Sequence, residues 1–278
     1  SANDIALQIA EQISGSVDAF VEKMNARAQE LGCTNTVFTN PTGLPDDNQH
    51  TTAHDLALIM KAAINTDGFR TIAGATSYTI PATNVSGGAR NLTSSFPMTN
   101  TTSASYYSGC IGGRESTTTA SGSVLVTAAE RNNTTLICVV MNGATGQTAT
   151  EAVSLLDYGF NNFQLLDLNQ EDFHILSGGQ VMVPSGATAA DLATEDSVSD
   201  GQINRTYTFG GTQVGTAVIE DTSDTSASDA QENDENMEEA KAFSQSASSV
   251  PYFLIGGAGL LILVFLLWKM IRIIKSCH

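Results

Sequence analysis

Nineteen consecutive residues without a charge, Val250 to Trp268 (VPYFLIGGAGLLILVFLLW), constrain this 278-residue chain more than any other feature. At about 1.5 Å per helical residue they match a hydrocarbon layer roughly 30 Å thick. A helix apolar on every face spans a membrane rather than packing one side against a core. Tyr252 and Trp268 sit at its two ends, and Lys269, Arg272 and Lys275 follow at once. The positive-inside rule then places the 269–278 tail in the cytoplasm and everything before Val250 outside, as a single-pass protein of the cell membrane. The chain starts at Ser1 rather than Met and shows no secretory signal, so an N-terminal segment beyond this sequence is expected to supply export.

Charge follows the same division. The formal net charge of −17 argues against a nucleic-acid partner, which needs a basic face to neutralise phosphates. Residues 1–219 hold 20 acids and 8 bases (−12), residues 220–249 hold nine acids and Lys241 (−8), and residues 250–278 hold three bases (+3). The 220–249 segment has one aromatic residue and almost no large aliphatics. It is expected to be a solvated, disordered acidic stalk with an r.m.s. span of about 30 Å. Cys277 falls in the tail, and the separations of Cys33, Cys110 and Cys138 match no metal pattern. They read as small core residues without a disulfide framework.

Periodicity organises the outer part. Ala6, Ile9, Ala10 and Ile13 recur at helical spacing and stop at Ser14-Gly15; Ser16 caps a second helix whose stripe is Val17, Phe20, Val21, Met24 and Leu31. After the turn-rich TNPTGLPDDNQH, Thr52 with Asp55 opens a third helix through Leu56, Ile59, Ala62 and Ala63. The period then changes. Ser77–Ile80 reads as a strand, and 123–129 with 134–141 read as a hairpin turning over Glu130-Arg131-Asn132-Asn133. A last helix near 148–158 uses Ala152, Leu155 and Leu156, and from about 168 to 219 the signals are those of a small all-β domain. The expected fold class is α+β, with helices packed on an antiparallel sheet.

Two local patterns carry little chemistry. His50 and His54 in HTTAH have the spacing of two zinc ligands, but the glutamate of H-E-x-x-H is absent, so no metal site is expected. The Asn-x-Ser/Thr sequons at Asn84, Asn91, Asn100, Asn132, Asn133 and Asn204 arise by chance in a chain this rich in Asn, Ser and Thr. If occupied, they would instead mark a type I cell-surface receptor or adhesin.

The informative signal is a series of spaced segments: Ser1-Ala2-Asn3 running into a helix, SVDAFVEKMNARAQELG, TNTVFTNPTGLPDDNQHTTAHDLALIM, YYSGCIGG, SGSVLVTAAERNNTTLICVVM and SLLDYGF. In that order, over about residues 1–165, they resemble the D-alanyl-D-alanine carboxypeptidases among the low-molecular-mass penicillin-binding proteins. The β domain and C-terminal anchor resemble that family's arrangement too. The resemblance implies a partial penicillin-binding/β-lactamase-like transpeptidase domain and acyl transfer without a cofactor. A serine of Ser-x-x-Lys attacks the D-Ala-D-Ala bond of peptidoglycan stem peptides, D-alanine leaves, and water hydrolyses the acyl-enzyme. By the same resemblance Ser1 is the proton-shuttling hydroxyl and Asn3 the substrate-orienting amide of Ser-x-Asn, while Lys-Thr-Gly on an edge strand would bind the terminal carboxylate.

The departures are as informative. No Ser-x-x-Lys occurs, because Phe20, Leu58, Glu238, Leu266 and Arg272 stand three residues before the five lysines. Nucleophile and base are missing, and a chain that starts at Ser-x-Asn looks truncated, with an incomplete core; β-lactams would bind only if the segment were restored. Where Lys-Thr-Gly is expected, the chain has Arg114, Glu115 and Ser116. Arg114 retains a cation suited to a carboxylate. Glu115 replaces a donor hydroxyl with a negative charge, and two like charges about 4 Å apart at an effective dielectric near 20 cost about 4 kcal/mol, roughly a thousandfold. Ser116 adds a side chain where the family has none. Two readings stay open at this point: a site that still binds D-Ala-D-Ala, or a loop sequence in a catalytically dead, membrane-anchored wall-binding or scaffold protein.

Overall fold

Side-chain caps set the first helices, as the residue types require. The computed structural model describes residues 2–170, 174–199 and 201–220. Ser1 and residues 221–278, with nearly all of the expected stalk and the whole of the expected membrane helix and tail, lie outside the described residues. Helix α1 (Asn3–Ser14) ends at Gly15, whose φ of 80° suits a residue without a Cβ. Helix α2 (Val17–Glu30) opens on Ser16, whose Oγ accepts the Ala19 N–H at 3.1 Å. Helix α3 (Ala53–Ile64) opens on Thr52, whose Oγ1 accepts the Asp55 N–H at 3.1 Å, and a short α4 (Phe69–Ala73) follows. The helix stands where the spacing placed it, but of the α1 stripe only Ala10 is fully buried, while Ile9 and Ile13 are 51% and 58% exposed. The main neighbour of α1 among the described residues is α2, and Ile5, Ile9 and Ile13 are each about half exposed.

Asp55 ties the loop after α2 to the start of α3. It is buried, and its Oδ2 accepts from the Thr36 hydroxyl at 2.7 Å and from the Asn35 N–H at 2.9 Å. The Cys33 thiol, also buried, donates to the Asp55 carbonyl at 3.6 Å. The Thr36 hydrogen bond, with help from Asn35, holds the Asp55 carboxyl below its ordinary range although burial opposes it.

The strand block begins with an exposed antiparallel ribbon, β1 (Ser77–Ile80) against β2 (Arg90–Thr93). The central sheet is antiparallel, in the order β3 (Cys110–Thr118), β4 (Gly122–Arg131), β5 (Thr134–Gly143). Its second turn is tighter than the sequence suggested. Asn132 and Asn133 alone make it, with φ of 48° and 63°, the left-handed pair that matches strand twist. Glu130 and Arg131 therefore belong to β4.

Helix α5 (Thr148–Asn162) covers one face of this sheet and α3 the other. The β4 side chains alternate between them. Leu125 and Ala129 join Phe96, Met98, Cys138, Ala152 and Leu156 on the α5 side, whereas Ala128 joins Met60 and Ile111 on the α3 side. Leu155, expected to pack inward, is 53% exposed; Ala149 takes its place in the α5 stripe with Ala152 and Leu156.

Beyond α5 the described chain is strand and short 3₁₀ turns. β6 (Phe163–Asp167) pairs with β8 (Gln180–Pro184), and β7 (Ile175–Gly178), β9 (Ala193–Ser199), β10 (Gln202–Phe209) and β11 (Thr212–Glu220) form a sheet in the order β7-β11-β10-β9. Leu168, Val181, Val183, Tyr207, Ala217 and Ile219 make its core. The chain up to Glu220 forms one compact unit. Among the described residues no helix is long and apolar enough to cross a membrane.

Because the folded Asp55 carboxyl titrates below its unfolded value, its contribution to stability is complete above an ordinary 3.8 and disappears as pH falls through the folded value. Asp55→Asn should lower the melting temperature at pH 7, and the gap to the parent should close below about pH 4. Thermal melts by circular dichroism from pH 7 to pH 2.5 check this; a gap independent of pH would contradict it.

Candidate functional site

The residues at 114–116 are strand, not loop. Among the described residues β3 is an edge of the central sheet, and Arg114, Glu115 and Ser116 pair with Val126, Leu125 and Val124 of β4. Immediately upstream, Cys110 pairs with Ala129 and Gly112 with Ala128, so Ile111 is the extra residue of a β-bulge. The buried Thr127 pins this bulge from β4: its hydroxyl donates to the Gly112 carbonyl at 3.0 Å and lies 3.4 Å from the Cys110 sulfur. The two glycines are required by close approach. A Cβ on Gly112, where φ is 147°, would stand 2.7 Å from the Ala73 Cβ, and one on Gly113 would stand 2.7 Å from the Phe96 ring.

The entry to β3 is clamped by an aromatic and ionic cluster. The Arg131 guanidinium lies over the Tyr107 ring at 4.5 Å and the Phe160 ring at 5.0 Å. Asp157 accepts from the Tyr107 hydroxyl at 2.9 Å and pairs with Arg131 at 3.3 Å. Burial, reinforced by Asp157, raises the Tyr107 phenol well above its ordinary range, so it stays a donor. Arg131 reaches this cluster from the last residue of β4, just ahead of the Asn132-Asn133 turn.

Two grooves flank the motif. One, of about 490 Å³, is lined by Arg114, Glu115, Ser116 and Thr117 of β3, by Ser95 and Phe96, and by Thr145 and Gly146 ahead of α5. The other, of about 590 Å³, brings Arg114 opposite the 38–51 loop, including Asn40, Pro41, Thr42, Gly43 and His50. That loop is self-supporting. Asn40 Oδ1 accepts from the Gly43 N–H and the Thr42 hydroxyl, each at 2.8 Å, and Asn25 exchanges two 2.8 Å hydrogen bonds with the backbone of Phe38. Its place beside Arg114 was not foreseen; the Asn-Pro-Thr-Gly turn chemistry is the signal that marks it.

Glu115 has a partner that the sequence did not reveal. It is half-buried, and one carboxylate oxygen accepts from the hydroxyl of Thr148, the fully buried first residue of α5. The carboxylate therefore sits at the start of a 15-residue helix, where the backbone dipole favours negative charge. Arg114 and Ser116 are exposed. Asn3 lies in the exposed first turn of α1 and lines neither groove, so the structure gathers Arg114, Glu115 and Ser116 but does not bring Asn3 among them; Ser1 lies outside the described residues. His50 Nδ1 donates to the Asn48 carbonyl (3.0 Å) and His54 lies 3.5 Å from Asp55. Among the described residues no three metal-ligating side chains cluster.

An antiparallel sheet held between helices, with a grooved edge strand bearing a cationic motif, defines the penicillin-binding class of fold. The family pattern of D-alanyl-D-alanine carboxypeptidases matches residues 1–145, more than half of the chain, and the chain belongs to that family. Over 166 residues it is 33% identical to D-alanyl-D-alanine carboxypeptidase DacB2 of Mycobacterium tuberculosis, covering 58% of this chain and 54% of that protein. Over 74 residues it is 42% identical to DacF of Bacillus subtilis, covering 27% of this chain and 19% of that protein. The chain thus spans about half, or less, of the curated relatives it matches. Penicillin-binding protein 5 of Haemophilus influenzae has the same fold, with a TM-score of 0.59 over 79% of this chain and 70% of that one at 24% identity.

The Thr148 contact should register as coupling. Thr148→Val is expected to cost about 1–2 kcal/mol, and in a double-mutant cycle with Glu115→Gln the two should be non-additive by at least about 0.5 kcal/mol. Urea unfolding of the four proteins measures it, and strict additivity would mean the contact contributes nothing.

Proposed function

We propose that this chain is the substrate-docking portion of a membrane-anchored, serine-type D-alanyl-D-alanine carboxypeptidase that trims peptidoglycan stem peptides, and that by itself it neither turns over nor reacts with penicillin. The observation that carries the reading is the placement of Arg114-Glu115-Ser116 on a grooved edge strand, held by a bulge and two close-packed glycines. Such an edge can take an extended peptide as a further strand. Arg114 would receive a carboxylate of that peptide. Ser1 and Asn3 remain assigned as the proton-transfer hydroxyl and the substrate-orienting amide, on the Ser-x-Asn pattern alone.

The lack of chemistry in the chain itself is argued from composition: no lysine has a serine three residues before it, so no Ser-Lys nucleophile and base can form by that motif. The apolar face of α1, with Ile5, Ile9 and Ile13 about half exposed, suits a surface that further polypeptide covers. Residence at the cell membrane, with the ectodomain outside, is proposed from the uncharged run 250–268 and the bases that follow it.

A second reading, an anchored wall-binding pseudoenzyme, is favoured by Glu115 alone. One experiment separates them. A fluorescent penicillin should leave the 278-residue chain unlabelled; a serine adduct would refute the claim of inactivity. In the product of the complete reading frame, an intact Ser-x-x-Lys with hydrolysis of a D-Ala-D-Ala peptide supports the enzyme. An intact motif without turnover, even after Arg114-Glu115-Ser116 is changed to Lys-Thr-Gly, supports the pseudoenzyme.

A further inference from the structure

A third groove, of about 380 Å³, opens where α5 ends, at the far end of that 15-residue helix from the 490 Å³ groove and so about 20 Å away along its axis. Its walls come from three places: Arg131 and Asn132 at the β4–β5 turn, Phe160 and Asn161 in the last turn of α5, and Phe163 and Gln164 at the start of β6. The crease between them is fixed. The Ser185 N–H donates to the Asn162 carbonyl at 2.8 Å, tying the end of β8 to the end of α5, and Arg131 is held by Asp157 and by the Tyr107 and Phe160 rings.

The lining is polar with little charge. No carboxylate lines it, so a cation finds no counter-ion there, and its one base is already engaged by Asp157. The side-chain amides of Asn132 and Asn161 are exposed, and among the described residues neither has a hydrogen-bond partner. Gln164 donates from Nε2 to the Ala187 carbonyl at 2.6 Å, which fixes its amide and leaves Oε1 to accept. Beside these amides Phe163 and Tyr158 meet edge to face at 6.0 Å, and they are 37% and 62% exposed. An extended peptide is gripped mainly through the backbone of an unpaired strand, whereas the polar groups here are side chains from a turn, a helix end and a strand start. A pyranose sugar fits both features: its flat C–H face lies on an aromatic ring, and its rim exchanges hydrogen bonds with planar amides.

We propose that this groove is a saccharide site for a short run of N-acetylated amino sugars, with Phe163 under a sugar ring and Asn132 and Asn161 paired to its acetamido and hydroxyl groups. Acetamido sugars are favoured over plain hexoses because an acetamido group offers one N–H and one carbonyl, the complement of a side-chain amide. The site uses none of the residues assigned to peptide docking at β3, and it stands independently of that reading. Where both hold, the two surfaces grip one polymer, its stem peptide at β3 and its amino-sugar glycan at the end of α5.

Saturation-transfer NMR on the full 278-residue chain tests this with three soluble ligands: the tetramer of N-acetylglucosamine, the tetramer of glucose with the same linkage, and an acetylated D-Ala-D-Ala peptide. The amino-sugar tetramer should bind at least about fivefold more tightly than the glucose tetramer, the size of one neutral hydrogen bond. Asn161→Ala should weaken it about fivefold; alanine is the better helix former, so that loss is not one of fold. Phe163→Ala should weaken it about tenfold, and Phe163→Tyr, which keeps the ring, should retain binding. Neither alanine substitution should alter binding of the peptide. Equal binding of the two tetramers, amino-sugar binding that survives both alanine substitutions, or displacement of the tetramer by the peptide overturns the inference. Failure of the amino-sugar tetramer while the peptide binds overturns it and leaves peptide docking intact. Failure of the peptide alone overturns docking and leaves this site standing, and failure of all three ligands overturns both.

Discussion

Everything near the groove takes its position from β4. It is the middle strand of the central sheet, and its alternate side chains are committed to two different cores, Leu125 and Ala129 under α5 and Ala128 under α3. A strand buried on both faces has no freedom of register, since a slip of one residue would exchange its two sets of side chains. The same strand carries Thr127, whose hydroxyl fixes the bulge of β3, and Arg131, whose guanidinium clamps Tyr107. The edge motif is therefore held at both its entry and its centre by a strand that cannot move independently of the core.

This arrangement separates the residues that hold the strand from those that line the groove. Gly112 and Gly113 satisfy packing, against Ala73 and Phe96, and no larger residue fits there without displacement. Arg114, Glu115 and Ser116 lie past the bulge, where side chains are exposed or half-buried. Side chains at these positions line the groove, while the pairing with β4 is made by the backbone. The core constrains the scaffold, while the groove is free to diverge.

Local rules in the sequence were sufficient where the determinant was local. Ser16 and Thr52 cap the helices they were expected to cap, and β4 and β5 pair antiparallel as the expected hairpin. They failed where the determinant was distant. The strand β9, ATEDSVS, has no apolar alternation because all seven residues are exposed; it exists through pairing with β10 and a bidentate Arg205–Asp196 contact at 2.8 Å. Leu155 read as part of the apolar face of α5 but is 53% exposed, since periodicity reports which face would be covered but not whether anything covers it. The position of Arg114-Glu115-Ser116 was legible through the spaced segments around it, whereas the partner of Glu115 lies 33 residues away on another element and leaves no trace in local pattern.

That distant partner changes the electrostatic argument. Read from the sequence, Glu115 is a charge aimed at an incoming carboxylate, and the cost is a Coulomb penalty with no benefit. In the folded chain the same carboxylate accepts a hydrogen bond from the Thr148 hydroxyl at the start of α5. The pairing of Glu115 with Thr148 thus makes a wall of the groove out of what the sequence alone presents as a defect.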